Sequence, residues 1–164
     1  MASWFDDPCF DHEAETVGAF TLTGDAWRRL QSLRERGVAC SRVIAVAGVT
    51  DKETADKIVV QGFNRSFCGK NATVYGQGVY FARDASYSCQ TKYARRDKAG
   101  VQRVFLARVV IGEYCKGDSS MIVPKPRHGN VLFDATVDDT GNPSIFVTYH
   151  DDQACPDYLI ELKQ

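Results

Sequence analysis

Long apolar runs are absent from this sequence: no stretch approaches the roughly 20 residues a membrane-spanning helix needs, so no membrane partner is expected. A charge excess of one sign is absent too. Lys and Arg number 20 against 21 for Asp and Glu, a formal net charge of −1, which gives no global electrostatic case for a nucleic-acid partner. The six cysteines, at positions 9, 40, 68, 89, 115 and 155, contain no C-x-x-C pair. Cys9 with His12 and His150 with Cys155 have ligand-like spacings that would permit a zinc site joining the two ends. Buried or free thiols in a reducing compartment are the simpler reading, and no metal is expected. The opening MASWFDDPCFDHEAE is acidic and lacks a basic-then-apolar signal pattern, so an intracellular setting, cytoplasmic or nuclear, is expected. Internal repeats and low-complexity segments are missing as well.

What is present is ordinary for a folded domain. The 164 residues are 44% hydrophobic and 25% charged, enough to bury one core. TLTGDAWRRLQSLRERG carries Ala26, Trp27, Leu30 and Leu33 at helical spacing, with Thr23 or Asp25 as N-cap and Gly37 as the stop. RVIAVAG is short, apolar and β-branched, which predicts a buried strand. TDKETADKIVVQG then reads as a helix with a Thr50/Glu53 capping box, an inner face of Ala55, Ile58 and Val59, and Gly62 at its end.

Beyond Phe63 the pattern changes to strands: 79–82, 103–111, 120–123, 131–135, 144–149 and 158–162. Ala85, Cys89 and Tyr93 recur every fourth residue and predict a helix between the first two, while DDTGNP at 138–143 is the clearest turn. Helices early and strands late predict an α+β fold with mainly antiparallel pairing.

The segment VYGQGVYFARDASYSCQTKY, residues 74–93, contains four of the seven tyrosines behind two glycines spaced G-x-G. A dinucleotide-binding loop would need a third glycine where Phe81 stands, and the glycines precede a strand instead of following one. No G-K-[ST] occurs, so the P-loop is excluded as well. Gly76 and Gly78 read singly as a tight turn, and the tyrosines as core and rim packing. Read together, Tyr80 on a strand and Tyr93 further on form two aromatic walls of a slot, with Ser88 offering a hydroxyl at its edge. Flat rings stack on such walls with roughly 0.5–1.5 kcal/mol beyond area burial, so the expected occupant is a planar ring. The basic cluster KYARRDKAGVQR, residues 92–103, reads as a solvated turn; contact with phosphate or RNA through Arg95, Arg96 and Lys98 is the alternative.

GFNRSFCGKNATVYGQGVYFARDASYS, followed later by PSIFVTYHDDQACPDYLI, closely resembles the catalytic domain of the poly(ADP-ribose) polymerase family, in the branch that transfers single ADP-ribose units. The resemblance runs from about Arg42 to Gln164. It implies the ADP-ribosyltransferase fold, two mainly antiparallel sheets around an NAD-binding cleft with flanking helices. Residues 42–164 would form the catalytic-type domain, with 1–41 a further segment of it carrying one amphipathic helix. By motif, Tyr80 would be the tyrosine of the family's His-Tyr-Glu signature and one wall against nicotinamide, Tyr93 the opposite wall, and Ser88 the hydroxyl that bonds the carboxamide. Arg65 and Asn71 fall where family members line the adenosine side.

Two departures bear on the chemistry. Ile145 stands where polymerising members have the signature Glu, and an isoleucine can neither bond the nicotinamide-side ribose nor activate a hydroxyl for elongation. Matching Thr50 to the family's threonine puts Gly48 in the place of the signature His and Val49 in the place of the glycine whose backbone clamps the carboxamide; a one-residue gap would put Ala47 there instead. Losing one such hydrogen bond costs roughly 1–3 kcal/mol, about 5- to 150-fold. Thr50 is a weak substitute, since its capping role already explains it. The resemblance thus implies NAD as substrate and a protein acceptor, either an acidic side chain that supplies the missing charge or the chain itself. The alternative is a module that has lost catalysis but binds NAD or nicotinamide, serves as an interaction domain, or has its cleft closed by Tyr75 and Tyr87.

Overall fold

The computed structural model describes residues 14–19, 42–67 and 73–163. Ten strands, two α-helices and two short 3-10 helices (Arg65–Phe67 and Asp151–Gln153) lie within them: β1 (Ala14–Ala19), β2 (Arg42–Val49), α1 (Lys52–Gln61), β3 (Val79–Ala82), α2 (Ala85–Ser88), β4 (Val101–Val110), β5 (Tyr114–Lys116), β6 (Pro126–His128), β7 (Val131–Leu132), β8 (Ala135–Val137), β9 (Ile145–Thr148) and β10 (Ala154–Lys163). Eight strands run in the order β1-β10-β4-β2-β3-β9-β8-β5, and β6-β7 form a separate hairpin. Every pairing is antiparallel except β5 with β8. The mainly antiparallel α+β fold expected from the element order is what forms.

The order conceals a seam. β2 pairs with β4 along its whole length, from Arg42↔Val110 to Val49↔Arg103, yet meets β3 at the single pair Val46↔Ala82. Two half-sheets, β1-β10-β4-β2 and β3-β9-β8-β5, are therefore hinged at one point and splay beyond it. One face of both halves carries the main core, where Phe81, Phe105 and Phe146 pack with Ala45, Ala47 and Val49. Phe63 stands edge-on to Phe81 and Phe105, with ring centroids 4.9 and 5.7 Å away. α1 covers this core through Ala55, Ile58 and Val59, the face its spacing predicts.

Several expectations are corrected. The α1 N-cap is Asp51 and not Thr50: the Asp51 carboxylate accepts the Thr54 N–H at 2.7 Å, while Thr50 Oγ1 donates to the same carboxylate at 3.1 Å. A carboxylate outcompetes a hydroxyl for an exposed N–H because the bond is charge-assisted. Gly62 ends α1 as expected, at φ 78° with its N–H on the Ile58 carbonyl. The helix expected through Tyr93 stops at Ser88, and residues 91–93 form a turn. Residues 120–123 are not a strand: Ile122 and Val123 are exposed, and the Met121 carbonyl accepts from Gln77 N–H. Residues 131–135 split into two strands around Asp134, whose carboxylate accepts the Glu113 N–H. Cys115 and Cys155 are buried thiols, whereas Cys89 is disulfide-bonded. The amphipathic helix expected within 21–37 lies outside the described residues, as do Cys9 and His12. Among the described residues no helix is long and apolar enough to cross a membrane, and no group of three or more His, Cys, Asp or Glu is placed to hold a metal ion.

Candidate functional site

A cavity of about 170 Å³ opens where the half-sheets splay, lined by Gly48 and Val49 from β2, Tyr80 and Ala82 from β3, Ser88 and Tyr93 from the following segment, and Ile145 from β9. An enclosed apolar void of ~150 Å³ holds a benzene ring, so the space suits one aromatic ring. No side chain that lines it, among the described residues, carries a charge.

Strand register fixes which side chains share this space. Partners in a ladder point to the same face, and alternate residues return to it. Val46 pairs with Ala82, Ala82 with Ile145 and Tyr80 with Val147. Counting by twos from these pairs puts Gly48, Tyr80 and Ile145 on one face. Ala47 and Val49 lie on the other, with Phe81 and Phe146. The register thus places Gly48, and not Ala47, beside the tyrosine and the isoleucine. Position 48 is nonetheless no empty socket. A Cβ there would lie 2.6 Å from the Ser88 carbonyl oxygen and 3.0 Å from the carbonyl group of Tyr93. The backbone that carries two of the site residues rests directly on β2, and glycine is what permits the contact.

Tyr80 is the firmer wall. Its hydroxyl accepts the Tyr75 N–H at 2.8 Å and donates to the Gly76 carbonyl at 2.9 Å. Burial raises its pKa to about 12, ahead of the smaller effects of those bonds and of neighbouring tyrosines. The two glycines of the G-x-G serve this arrangement. Gly76 has φ 126°, which favours glycine, and a side chain there would collide with the Tyr149 hydroxyl; one at Gly78 would collide with the Thr148 carbonyl of β9. They build the turn that holds Tyr80.

Tyr93 stands on its turn through different means. Its ring stacks on Tyr87 at 4.9 Å and 25°, and the two hydroxyls lie 2.7 Å apart. Gln102, buried on β4, reaches under the segment and donates from Nε2 to the carbonyls of Cys89 at 2.5 Å and Ala94 at 2.6 Å. Ser88, 4% exposed, donates its hydroxyl to the Val46 carbonyl at 2.7 Å. Its proton is engaged, which leaves the oxygen to accept from an amide N–H. Ile145 is 3% exposed and packs with Ala82, Val147 and Tyr149 against Tyr75, Tyr80 and Tyr87. Its N–H and that of Ser144 are held by the Asp138 carboxylate. Burial pushes that carboxyl up, but the bonds from Ser144 and Ile145 together hold it below the usual range.

The structure brings Gly48, Val49, Tyr80, Ser88, Tyr93 and Ile145 together. It places Arg65 elsewhere: the guanidinium donates to the carbonyls of Gln77, Ile122 and Tyr149 and borders a separate polar depression with His150 and Asp151. Asn71 lies outside the described residues. The sequence offers Tyr87 only as a side chain able to close the cleft; the structure stacks it on Tyr93 and packs it against the Ile145 cluster, with α2 stopping at Ser88 where the spacing predicts a longer helix.

A match to the family model described as the poly(ADP-ribose) polymerase catalytic domain covers residues 48–164. The chain belongs to the poly(ADP-ribose) polymerase catalytic domain family. Within this family it is similar to the protein mono-ADP-ribosyltransferase PARP14 of Homo sapiens, 42% identical over 118 residues, 70% of this chain and 7% of that protein. It is also similar to PARP10 of Mus musculus, a protein mono-ADP-ribosyltransferase, 42% identical over 138 residues, 83% of this chain and 14% of that protein. The chain therefore spans a small part of these relatives. The crystal structure of the PARP domain of Arabidopsis RADICAL-INDUCED CELL DEATH1 superimposes with a TM-score of 0.68 over 92% of this chain and 88% of that one, at 20% identity. At that identity the likeness speaks to fold alone, and the fold is that of the ADP-ribosyltransferases.

Proposed function

We propose that this domain binds NAD in the seam between its half-sheets and transfers a single ADP-ribose to a protein side chain, without chain elongation. The observation that carries the reading is that Tyr80, Ser88 and Tyr93 open onto one cavity the size of a single ring. Tyr80 and Tyr93 would flank the nicotinamide, and Ser88 Oγ would accept from its carboxamide N–H. NAD supplies a pyridinium leaving group. The nicotinamide portion fits the uncharged lining; no described lining residue offers a cation for the pyrophosphate. Ile145 supplies no carboxylate, so nothing in the cleft would activate a ribose hydroxyl, and the attacking group would have to arrive already charged. Bond cleavage in such a system develops oxocarbenium character, and an acidic acceptor would stabilise it.

A second reading, an NAD- or nicotinamide-binding module without turnover, is favoured by one observation: Tyr87 already stacks on Tyr93. Calorimetric titration with NAD separates the outcomes. Wild type is expected to bind and Tyr80→Ala to lose binding; no heat from wild type would sink both readings. Release of nicotinamide and label on protein from labelled NAD then decides for transfer, and binding without release decides for the module.

A further inference from the structure

The cleft holds no charge of its own, but one stands at its rim. Lys92, exposed on the turn before Tyr93, places its ammonium 4.5 Å from the Tyr93 ring centroid and 5.7 Å from that of Tyr87. Two aromatic faces hold it there by attraction of the cation to the ring quadrupoles. Several described cations already have carboxylate partners: Lys52 has Asp56, Lys57 has Glu53, Arg103 has Asp97 and Glu161, and Arg108 has Asp157. Lys92 has no carboxylate within 4.0 Å among the described residues.

We propose that Lys92 is the acceptor-recognition residue, pairing with the carboxylate of the Asp or Glu side chain to be modified. This rests on the transferase reading above. Position selects the acceptor over the dinucleotide's own phosphates. A cation resting on Tyr93, one of the two walls proposed to flank the nicotinamide, stands at the reacting end of NAD, whereas the pyrophosphate begins beyond the ribose. Charge selects it too. A fixed cation beside a carbon that is becoming positive opposes cleavage, and an arriving carboxylate cancels that opposition while placing its oxygen near the same carbon. The step balances without a base: a carboxylate oxygen forms a bond to C1′ of the ribose, and the bond from C1′ to the pyridinium nitrogen breaks. That electron pair goes to the ring as neutral nicotinamide leaves, and no proton moves because the acceptor is already ionised. Lys92 thereby couples turnover to the presence of an acidic acceptor, the role that a resident carboxylate at position 145 would otherwise fill.

The test compares wild type with Lys92→Met, which keeps the stem and removes the charge, and Lys92→Arg, which restores it. Three quantities are read: NAD affinity by calorimetry, affinity of the NAD-loaded domain for a Glu-containing peptide and its Gln counterpart, and the ratio of peptide labelling to NAD hydrolysis. NAD affinity is expected to stay within about twofold in Lys92→Met. Glu-peptide affinity should fall about fivefold, as befits an exposed ion pair, the preference for Glu over Gln should vanish, and hydrolysis should rise relative to labelling. Lys92→Arg should recover the preference, and added salt should erode it in wild type. An unchanged Glu preference in Lys92→Met, with NAD binding intact in wild type, overturns this assignment and leaves the transferase reading standing. A fall in NAD affinity as large as the fall in peptide affinity also overturns it, assigning Lys92 to the pyrophosphate. Failure of wild type to bind NAD at all overturns the transferase reading itself and this assignment with it.

Discussion

The two tyrosine walls of the cleft face one cavity but are built on opposite plans. Tyr80 is a strand residue whose neighbours in sequence hold it: the turn at Tyr75 and Gly76 bonds its hydroxyl, and β9 pairs with its backbone. Tyr93 sits on a turn, held by the Tyr87 ring and by Gln102 reaching across from β4. The first wall is local and inherits the rigidity of the sheet. The second is a clamp of few contacts, the kind of segment that opens at a lower free energy than the sheet behind it.

The largest effect should come from breaking the first wall. Tyr80→Ala removes a half-buried ring and leaves the Tyr75 N–H and the Gly76 carbonyl without their partner. A truncation of this type costs about 2–4 kcal/mol, read as a shift in denaturant midpoint. Ring binding should disappear with it. Retention of full stability would mean that Tyr80 is not structurally tied to the turn.

This contrast also sets what the sequence discloses. Strand β3 and the turn before it are written in adjacent residues, so the boundaries of 79–82 and the G-x-G turn are readable directly. The seam itself depends on β2 meeting β3 at one pair only, yet its lining residues Tyr80, Ser88 and Ile145 are carried by motif. Tyr93 is carried by motif as well, but the backbone that holds it is not readable. Ala85 and Cys89 do recur at helical spacing and do pack inward, with Cys89 against the Val46 and Ala94 cluster. The helix nevertheless ends at Ser88, because the carbonyls of Cys89 and Ala94 are taken by an amide that lies eight or more residues further along the chain. Apolar content misleads at 120–123 for a similar reason. Arg65 Nη2 and Gln77 N–H claim the carbonyls of Ile122 and Met121, which a pairing strand would otherwise use.

The next effect probes where the walls meet β2. Gly48→His puts a side chain into the Ser88 and Tyr93 carbonyls, and overpacking against backbone costs about 1–3 kcal/mol. Tyr93 should move with its segment while Tyr80 stays. The substitution is expected to lower stability and to weaken ring binding, not to confer turnover. Gly48→Ala should show the same direction in smaller measure. A gain in nicotinamide release with unchanged stability would show that the segment yields easily and that the missing histidine alone limits the chemistry.

Gln102→Leu sharpens the comparison from the other side, since it touches only the second wall. Two buried carbonyls lose a donor, with a cost of about 1–2 kcal/mol, concentrated in residues 89–94. Hydrogen exchange should quicken at the Cys89, Tyr93 and Ala94 amides, which are bonded within this segment, while amides of β3 and β9 keep their protection. Equal loss of protection on both sides would show that the walls unfold as one unit.

The smallest effect is confined to alkaline solution. Burial raises the Tyr80 pKa from 10.0 to about 12, so the folded state holds this proton more tightly than the unfolded chain does. The stability tied to that difference is complete below pH 10. It is lost as pH climbs from about 10 through about 12, because the unfolded chain ionises first and is favoured. Burial pushes Tyr87 and Tyr149 upward as well, so the whole protein reports all three rings. Tyr80→Phe removes one of them. Denaturant unfolding of wild type and Tyr80→Phe between pH 8 and 12 should give a constant difference below pH 10 and a wild-type curve that falls more steeply above it. Curves that remain parallel across the range would show that the phenol of Tyr80 is solvated in the folded protein, and that the firmer wall is held by its strand alone.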